Sequence, residues 1–377
     1  MRRCDVRRLH LVTYENGMAM QERLVAMRQS GEIDDQLLLL QHTPVITLGR
    51  GGDIGNLLAP KEVFSREGIR FFETTRGGDI TYHGPGQLVG YPILHLGEGN
   101  RDVRRYVGNV EEALIRTLAE WGIRGSREEG KRGVWVGNDK VAAIGVRVAR
   151  WVTCHGFALN VTTNLDHFRH ITPCGIAEGG VTSLEKLLGK APDMKDVMDA
   201  YVRNFAEVFE RETLEREPPI RLVKVVPHDG EKVLLLRRHP ERGGFWQPVT
   251  GRIEHGETPD EAARRELLEE TGISVPVEPL GLRQSFLIDR AFLPDSPEPL
   301  LFVDETAYAA RVQPGAAVRI QPEEHTESAW FTLERAYETI RWSDDREALE
   351  RLESRIHDRE KTSATVGEAK PYTHHDQ

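Results

Sequence analysis

Cysteine is scarce in this 377-residue chain: Cys4, Cys154 and Cys174 are the whole set. An odd, scattered trio leaves no disulfide framework and no CxxC metal pair. Long apolar runs are missing as well. Leu37 to Leu40 is the longest pure leucine stretch, far short of the ~20 residues that span a bilayer, so no membrane partner is expected. The N-terminus, Met1-Arg-Arg-Cys-Asp-Val-Arg-Arg-Leu-His10, is basic but has neither an apolar core nor a small-residue cleavage site, and no secretory signal is read from it. A positive surplus is also absent, since 50 Lys and Arg stand against 60 Asp and Glu, a net of −10. That excludes a binder of nucleic-acid polymers working through bulk positive charge, because phosphate contacts dominate such affinity. The remaining composition, 39% hydrophobic and 29% charged, is that of a soluble globular protein, and a cytoplasmic enzyme is the expectation. At about 150 residues per domain, the length implies two domains.

The charge is uneven. Residues 1–217 carry a net of −1 and the rest a net of −9. The boundary is expected in Arg211-Glu-Thr-Leu-Glu-Arg-Glu-Pro-Pro-Ile220, where a charged helix end runs into Pro218-Pro219, which cannot continue a helix. An apolar strand pattern restarts at Leu222-Val-Lys-Val-Val226. The reading is a first domain over 1–215, a second over 218–360, and a polar, aperiodic, disordered tail over 361–377. In the first half, Met18–Arg28, Val103–Trp121 and Asp193–Phe209 have helical spacing. Leu37–Leu40, Val45–Leu48, Val134–Val136 and Val141–Val148 read as strands, with a hairpin turn at Gly137-Asn138-Asp139. This is α+β, not alternating βαβ. One echo, Arg50-Gly-Gly-Asp-Ile54 and Arg76-Gly-Gly-Asp-Ile80, reads as two similar glycine-rich loops rather than a repeat.

Four stretches of the first half carry candidate chemistry. Arg76-Gly-Gly-Asp-Ile-Thr-Tyr-His-Gly-Pro-Gly-Gln87 is dense in glycines that let backbone approach a ligand. It is neither a Walker loop nor a dinucleotide fingerprint. Lys140 opens an otherwise apolar strand through Ala143-Ile144-Gly145, and most lysines of that kind are plain surface charges. Cys154-His155-Gly156-Phe157-Ala158 follows. Strand alternation puts Cys154 and His155 on opposite faces, so they should not form a dyad, and Cys154 reads as a small buried hydrophobe. Thr172-Pro-Cys174-Gly175 sets a thiol in a loop. With a pKa of ~8.5 it needs a positive neighbour to ionise near neutrality, and Lys140, His83 or His155 can supply one.

In this order and spacing, over roughly residues 10–210, these motifs resemble the lipoyl(octanoyl) transferase family. The resemblance implies an α+β fold of the biotin and lipoate ligase kind. It implies that Cys174 is the acyl-thioester nucleophile and that Lys140 lowers its pKa. It also implies that Arg76, Gly77, Gly78, Asp79, Ile80, Thr81, Tyr82 and His83, with Ala143, Ile144, Gly145, Gly156, Phe157 and Ala158, line the substrate site. The expected partners are octanoyl-acyl carrier protein as donor, and as acceptor a lysine of lipoyl domains, those of 2-oxoacid dehydrogenases and the glycine cleavage H protein. The reaction is ping-pong acyl transfer, with backbone donors near Cys174 holding the oxyanion and no cofactor. The alternative is an ATP-dependent lipoate or biotin ligase with a regulatory nucleotide-binding second half. Such ligases do not need the nucleophile, so Cys174 discriminates between the two.

The second half turns on residues 251–273. Thr258-Pro-Asp-Glu261 is a capping box with Pro at the first helical position, and Gly272 stops the helix. Glu266, Glu269 and Glu270 share one face at i, i+3 and i+4. A solvated acidic face is the usual meaning of such a cluster, but it does not account for the loop glycines. A hard divalent cation would relieve the repulsion. The segment matches every fixed position of the Nudix box through Gly251, Glu257, Arg265, Glu266, Glu269, Glu270, Gly272 and Ile273. That resemblance implies an α/β/α sandwich that hydrolyses a nucleoside diphosphate linked to another group. Glu266, Glu269 and Glu270 would hold Mg²⁺, with Arg265 orienting them. Phe245-Trp246-Gln247, Glu324-His325 and Trp342-Ser343 look like the dihydroneopterin triphosphate pyrophosphatase subgroup. On that likeness Glu324 is a further metal or base carboxylate, Arg237 and Thr250 meet the substrate, and the substrate is a nucleotide or pterin triphosphate.

Overall fold

The computed structural model describes residues 2–97, 101–172, 179–290, 296 and 299–366, with backbone alone at 61, 65 and 360–366. The chain divides at Pro218–Pro219 into two compact units, Met1–Pro218 with Ser285–Leu287, and Pro219–Gln284 with Ile288–Gln377.

The first unit opens with β1 (Arg2–Val12) and α1 (Tyr14–Ser30), capped by the Thr13 side chain at its start and by left-handed Gly31 at its end. Then come β2 (Asp35–His42), β3 (Val45–Leu48), α2 (Lys61–Arg66), β4 (Arg70–Glu73), β5 (Ile80–His83), β6 (Gln87–Ile93) and α3 (Val103–Ala119). The unit continues with β7 (Ser126–Glu128), β8 (Lys131–Val136), β9 (Asp139–Ala149), β10 (Val152–Asn160), α4 (Leu184–Leu188), α5 (Met194–Phe209) and β11 (Arg211–Glu215). The main sheet runs β1-β2-β6-β10-β9-β8-β7, and β4-β3-β5 form a second, small sheet. The apolar face of α3 (Val110, Ala113, Leu114, Leu118) and that of α5 (Val197, Tyr201, Phe205) pack on the main sheet over Leu37, Leu39, Leu88, Ile144 and Leu159.

The expected helices and strands of this unit form. The charged helix end does not: α5 stops at Phe209, Glu210 turns left-handed, and Arg211–Glu215 extends to pair in parallel with Arg2–Val6. Partnership with a strand two hundred positions away overrides the local helical character of the segment.

The second unit contains β12 (Ile220–His228), β13 (Lys232–Arg238), β14 (Trp246–Gln247), β15 (Val249–Arg252), α6 (Pro259–Thr271), β16 (Glu278–Ile288), β17 (Leu301–Arg311), β18 (His325–Thr332), α7 (Leu333–Thr339) and α8 (Ser343–Val366). Its strands run β14-β13-β12-β17-β16, with β15 on β12 and β18 on β13. The capping box of α6 forms as expected, and Gly272 closes the helix at φ +70°. Ala262, Ala263 and Leu267 bury that helix on Val223, Val225 and Val249. The polar stretch expected to be a tail from residue 361 begins as the last turns of α8, and residues 367–377 lie outside the described ones. No described helix is long and apolar enough to cross a membrane.

The lone lysine of the Leu222–Val226 pattern is fully buried. The Nζ of Lys224 meets Glu305 at 2.9 Å, Asp344 at 2.9 Å and Asp345 at 2.7 Å. Burial among these carboxylates pushes Asp345 up to about 7 from an ordinary 3.8. A carboxyl raised by folding stabilises most in its protonated form, so this contribution is full below pH 3.8 and is lost as pH rises through about 7. Urea unfolding of the second unit's transition should show falling stability over that interval, and Asp345→Asn should flatten the slope. Lys224→Met, which leaves the carboxylates without a counter-charge, should cost about 3–5 kcal/mol in the same measurement at pH 7.

Candidate functional site

In the first unit a narrow cleft opens beside β5, β9 and β10. It takes Arg76, Gly78, Asp79, Thr81 and His83 from the glycine-rich stretch, Ala143, Ile144 and Gly145 from β9, and Gly156, Phe157 and Ala158 from β10. Strands β9 and β10 place the last two sets side by side, with Gly156 opposite Gly145 and Phe157 opposite Ile144. Gly90 of β6 is required here, because a Cβ on it would stand 2.0 Å from the Phe157 ring. Gly78 needs its glycine for a φ of +90°.

Three expected residues are not in the lining. β5 alternates, so Thr81 and His83 face the cleft while Ile80 and Tyr82 face the small core of Ile46, Phe64, Ile69 and Phe168. Gly77 contributes backbone, donating its N–H to Val146 O at 3.1 Å. The two Arg-Gly-Gly-Asp-Ile loops lie together: Gly49 and Arg50 donate backbone N–H to Asp79 and Arg76, and Asp79 accepts from Asp53 N and Asn56 Nδ2. Arg76 is buried, with its guanidinium on Thr47 O at 2.7 Å and Thr47 Oγ1 at 2.9 Å.

Three lining residues, Tyr14, Val89 and Tyr91, carried no sequence signal, and His155, offered by the sequence only as a positive neighbour, lines the cleft with them. They make the wall largely apolar, and the polar ends of the tyrosines are tied back. Tyr14 donates to Thr74 Oγ1 at 2.9 Å. The Tyr91 hydroxyl meets His42 Nε2 at 2.5 Å, while His42 Nδ1 donates to Val12 O.

A chain of buried side chains fixes the protonation of His83. Gln87 Nε2 donates to Asn160 Oδ1 at 2.9 Å and to Tyr82 O at 3.2 Å, so its Oε1 is the acceptor for His83 Nδ1 at 2.7 Å. The Nδ1–H tautomer leaves Nε2 as a proton acceptor. Asn160 in turn donates to Thr182 O at 3.0 Å. Burial holds His83 down at about 3 and His155 at about 4, so neither is cationic near neutrality.

Lys140 is the third of the candidate neighbours. It is 6% exposed, with Nζ 4.8 Å from the Trp135 ring centroid, and it lines a hollow that shares Thr81, Ala143 and Ala158 with the cleft. Its backbone holds the Gly180–Thr182 segment, accepting from Thr182 N and donating to Gly180 O. On the other side, Thr172 donates to Asn56 O at 2.8 Å. Cys174, between these two anchored segments, lies outside the described residues. Cys154 is buried, and burial pushes its thiol up to about 11, which makes it unreactive.

In the second unit, α6 brings its carboxylates to the β15 turn. Gly251 is required, since a Cβ there would fall 1.7 Å from the Glu266 carboxyl carbon. Arg265 forks onto Glu257 with two bonds of 2.9 Å and reaches Glu266 at 2.8 Å and Glu269 at 3.1 Å. Glu270 is buried, and its carboxyl is pushed up by burial and then by the charges of Glu266 and Glu324. Glu324 and His325, from the far end of the domain, complete a group with Glu270 whose ligand atoms lie within 4.8 Å of one another. Both ring nitrogens of the fully buried His325 lack a hydrogen-bond partner. A buried carboxyl raised by its acidic neighbours, beside an imidazole with no hydrogen-bond partner, fits a divalent cation, although Arg242 pairs with Glu324 at 3.2 Å and Arg265 with Glu266 at 2.8 Å.

The Arg237-Arg238 pair, read from the sequence as a phosphate clamp, is split at an irregularity of the β13–β18 pairing. Arg237 turns outward, to Glu327 at 2.6 Å and Gly244 O at 3.2 Å. Arg238, half-buried, is the one in the field of Glu324 and Glu270. Thr250 stands at the cluster, its N–H 3.4 Å from Glu270 Oε2. Trp246 packs edge-on to Phe331 at 5.2 Å.

Comparison with known proteins agrees with both halves. A profile of the lipoyl protein ligase A/B catalytic domain matches residues 13–206, and one of the NUDIX domain matches residues 218–352. An octanoyltransferase from Myxococcus xanthus is 46% identical over 361 residues, 93% of this chain and 99% of that protein. Among solved structures, a bi-partite lipoate protein ligase from Thermoplasma acidophilum aligns at 15% identity and TM-score 0.45, over 57% of this chain and 87% of its own. The E. coli dihydroneopterin triphosphate pyrophosphohydrolase aligns at 25% identity and TM-score 0.32, over 36% of this chain and 94% of its own. The chain belongs to the lipoyl protein ligase A/B catalytic domain family as an octanoyltransferase, and it carries a Nudix hydrolase domain behind that catalytic unit.

Proposed function

We propose that the first unit moves an octanoyl group from octanoyl-acyl carrier protein through a Cys174 thioester to a lysine of a lipoyl domain. The observation that carries this reading is the buried Lys140, which lines the hollow adjoining the cleft and whose backbone holds the Gly180–Thr182 segment that follows Cys174. A cation beside the thiol favours the thiolate. That thiolate attacks the acyl carbonyl, the C–S bond to the carrier breaks, and the carrier leaves as a thiol. The acceptor amine then attacks the enzyme thioester, an amide forms and the Cys174 thiol is released. A thioester is already activated, so no ATP is consumed. The apolar wall of Tyr14, Val89, Tyr91 and Phe157 suits the alkyl chain, and His83 presents an acceptor nitrogen to the same cleft.

For the second unit, the carboxylates of Glu266, Glu269, Glu270 and Glu324 would hold Mg²⁺. The ion would activate water and neutralise phosphate charge on a nucleotide or pterin triphosphate. Arg265 holds Glu266 and Glu269, together with Glu257, in register, and Arg238, with Thr250, would meet the phosphates.

Incubation with octanoyl-carrier protein should give a mass adduct of one octanoyl group that is lost in Cys174→Ala. Persistence of the adduct in the variant, or a strict need for ATP, would overturn the reading in favour of a ligase. Lys140→Met should slow adduct formation on the order of a hundredfold at pH 7 and should regain rate as pH is raised. On a panel of nucleotide and pterin triphosphates with Mg²⁺, Glu270→Gln should lose several kcal/mol of transition-state stabilisation, on the order of a hundredfold or more in turnover. If the unaltered protein turns over no member of the panel, the second unit is a binding module instead.

A further inference from the structure

The carboxylate group of the second unit contains one residue that the acidic helix does not explain. His325 is fully buried, and neither of its ring nitrogens has a hydrogen-bond partner. Buried polar atoms are nearly always paired, so an imidazole orphaned at both nitrogens needs a reason. Packing is not the reason, because an apolar side chain would fill that space at lower cost.

The neighbours of the ring supply one. His325 Nε2 stands 4.0 Å from Glu270 Oε2, and one ligand atom from each of Glu270, Glu324 and His325 lies within 4.8 Å of the others. Two ligands each about 2.1 Å from one ion stand roughly 3.0–4.2 Å apart, so the Glu270–His325 pair already falls within the span of a single ion. Consecutive residues of a strand face opposite ways. Glu324, however, precedes β18, in a turn closed by the His325 N–H on Gln321 O at 2.9 Å, and so both side chains reach one group. Pairing with Arg238 holds the His325 backbone on its other side.

Most of the carboxylates already have a cation. Arg265 bonds Glu257, Glu266 and Glu269, and Arg242 bonds Glu324. Glu270 has no arginine bond among the described residues; it meets the Thr250 N–H at 3.4 Å and the His325 ring. The carboxylate with the least internal compensation is therefore the one beside the imidazole. Such an oxygen–nitrogen pair has a preference that carboxylates alone lack. Hard Mg²⁺ gains little from an imidazole, whereas Co²⁺, Ni²⁺ and Zn²⁺ take one readily.

We propose that His325 is a nitrogen ligand of the second unit's metal ion, beside Glu270, and that it adds affinity for imidazole-binding transition metals but not for Mg²⁺. This rests on the metal reading above and names the residue that decides which ion the site favours.

The test uses the full-length protein with Co²⁺, Mg²⁺ or Mn²⁺, each alone. In equilibrium titrations His325→Gln should weaken Co²⁺ binding on the order of tenfold or more, while Mg²⁺ binding should change less than about twofold. Pulsed electron paramagnetic resonance of the Mn²⁺-loaded protein, labelled with nitrogen-15 at histidine only, should show a directly bound histidine nitrogen. Glu270→Gln should remove that signal together with the ion. The resonance is read on the unaltered protein, so it decides the matter even if His325→Gln melts early. A bound ion without nitrogen coupling, or equal losses of Co²⁺ and Mg²⁺ affinity in His325→Gln, overturns the proposal. His325 would then only position Glu270, and the metal reading stands. A nitrogen signal that survives Glu270→Gln belongs to another site and overturns the proposal too. Failure of the unaltered protein to bind any of the three ions overturns both.

Discussion

The first catalytic unit depends on one constraint, the buried amide of Gln87. Its two donor hydrogens are committed to Asn160 and Tyr82, which forces its carbonyl toward His83 and fixes that ring as a neutral tautomer. Asn160 passes the constraint on to Thr182, the residue whose N–H is bonded to Lys140 O. A broken link would leave buried polar groups without their partners. The cleft, the lysine and the segment following Cys174 are thus held by a single chain of hydrogen bonds.

The two units solve the problem of buried charge in opposite ways. In the first, burial strips charge from His42, His83 and His155 and leaves the cleft mostly apolar, with a lysine at its edge. In the second, Glu266 and Glu324 stand near enough to raise the buried Glu270, while Arg265 pairs with Glu257, Glu266 and Glu269 and Arg242 with Glu324. The first arrangement suits a neutral alkyl thioester and the second a metal with a phosphate. The Lys224 cluster, by contrast, has its counter-charge built in and acts on stability.

Much of the site was legible because its signals are local. The helix of the Nudix box reads directly: Thr258 and Glu261 cap it, and three glutamates at i, i+3 and i+4 need no tertiary information to share a face. The echo of the two Arg-Gly-Gly-Asp-Ile loops was visible as well, but its meaning, adjacent turns bonded to each other, was not. Residues whose importance comes from distant partners stayed hidden. Tyr14 and Tyr91 look like ordinary core or strand residues, and the Arg237-Arg238 pair does not show by itself which member faces the carboxylates.

Sequence alone determined the two-part division, both families of chemistry, the carboxylate helix and the candidates Cys174 and Lys140. Each is written in contiguous residues or in the order of short motifs. The tertiary structure decided which of those residues face a cleft. Alternation along β5 sends Thr81 and His83 one way and Ile80 and Tyr82 the other. Pairing with Arg2–Val6 makes a strand of Arg211–Glu215. The meeting of β10 with α1 gives the His155 N–H its acceptor, Gln21 Oε1. Facing, pairing and enclosure are relations between distant segments, and such relations exist only once the chain has folded.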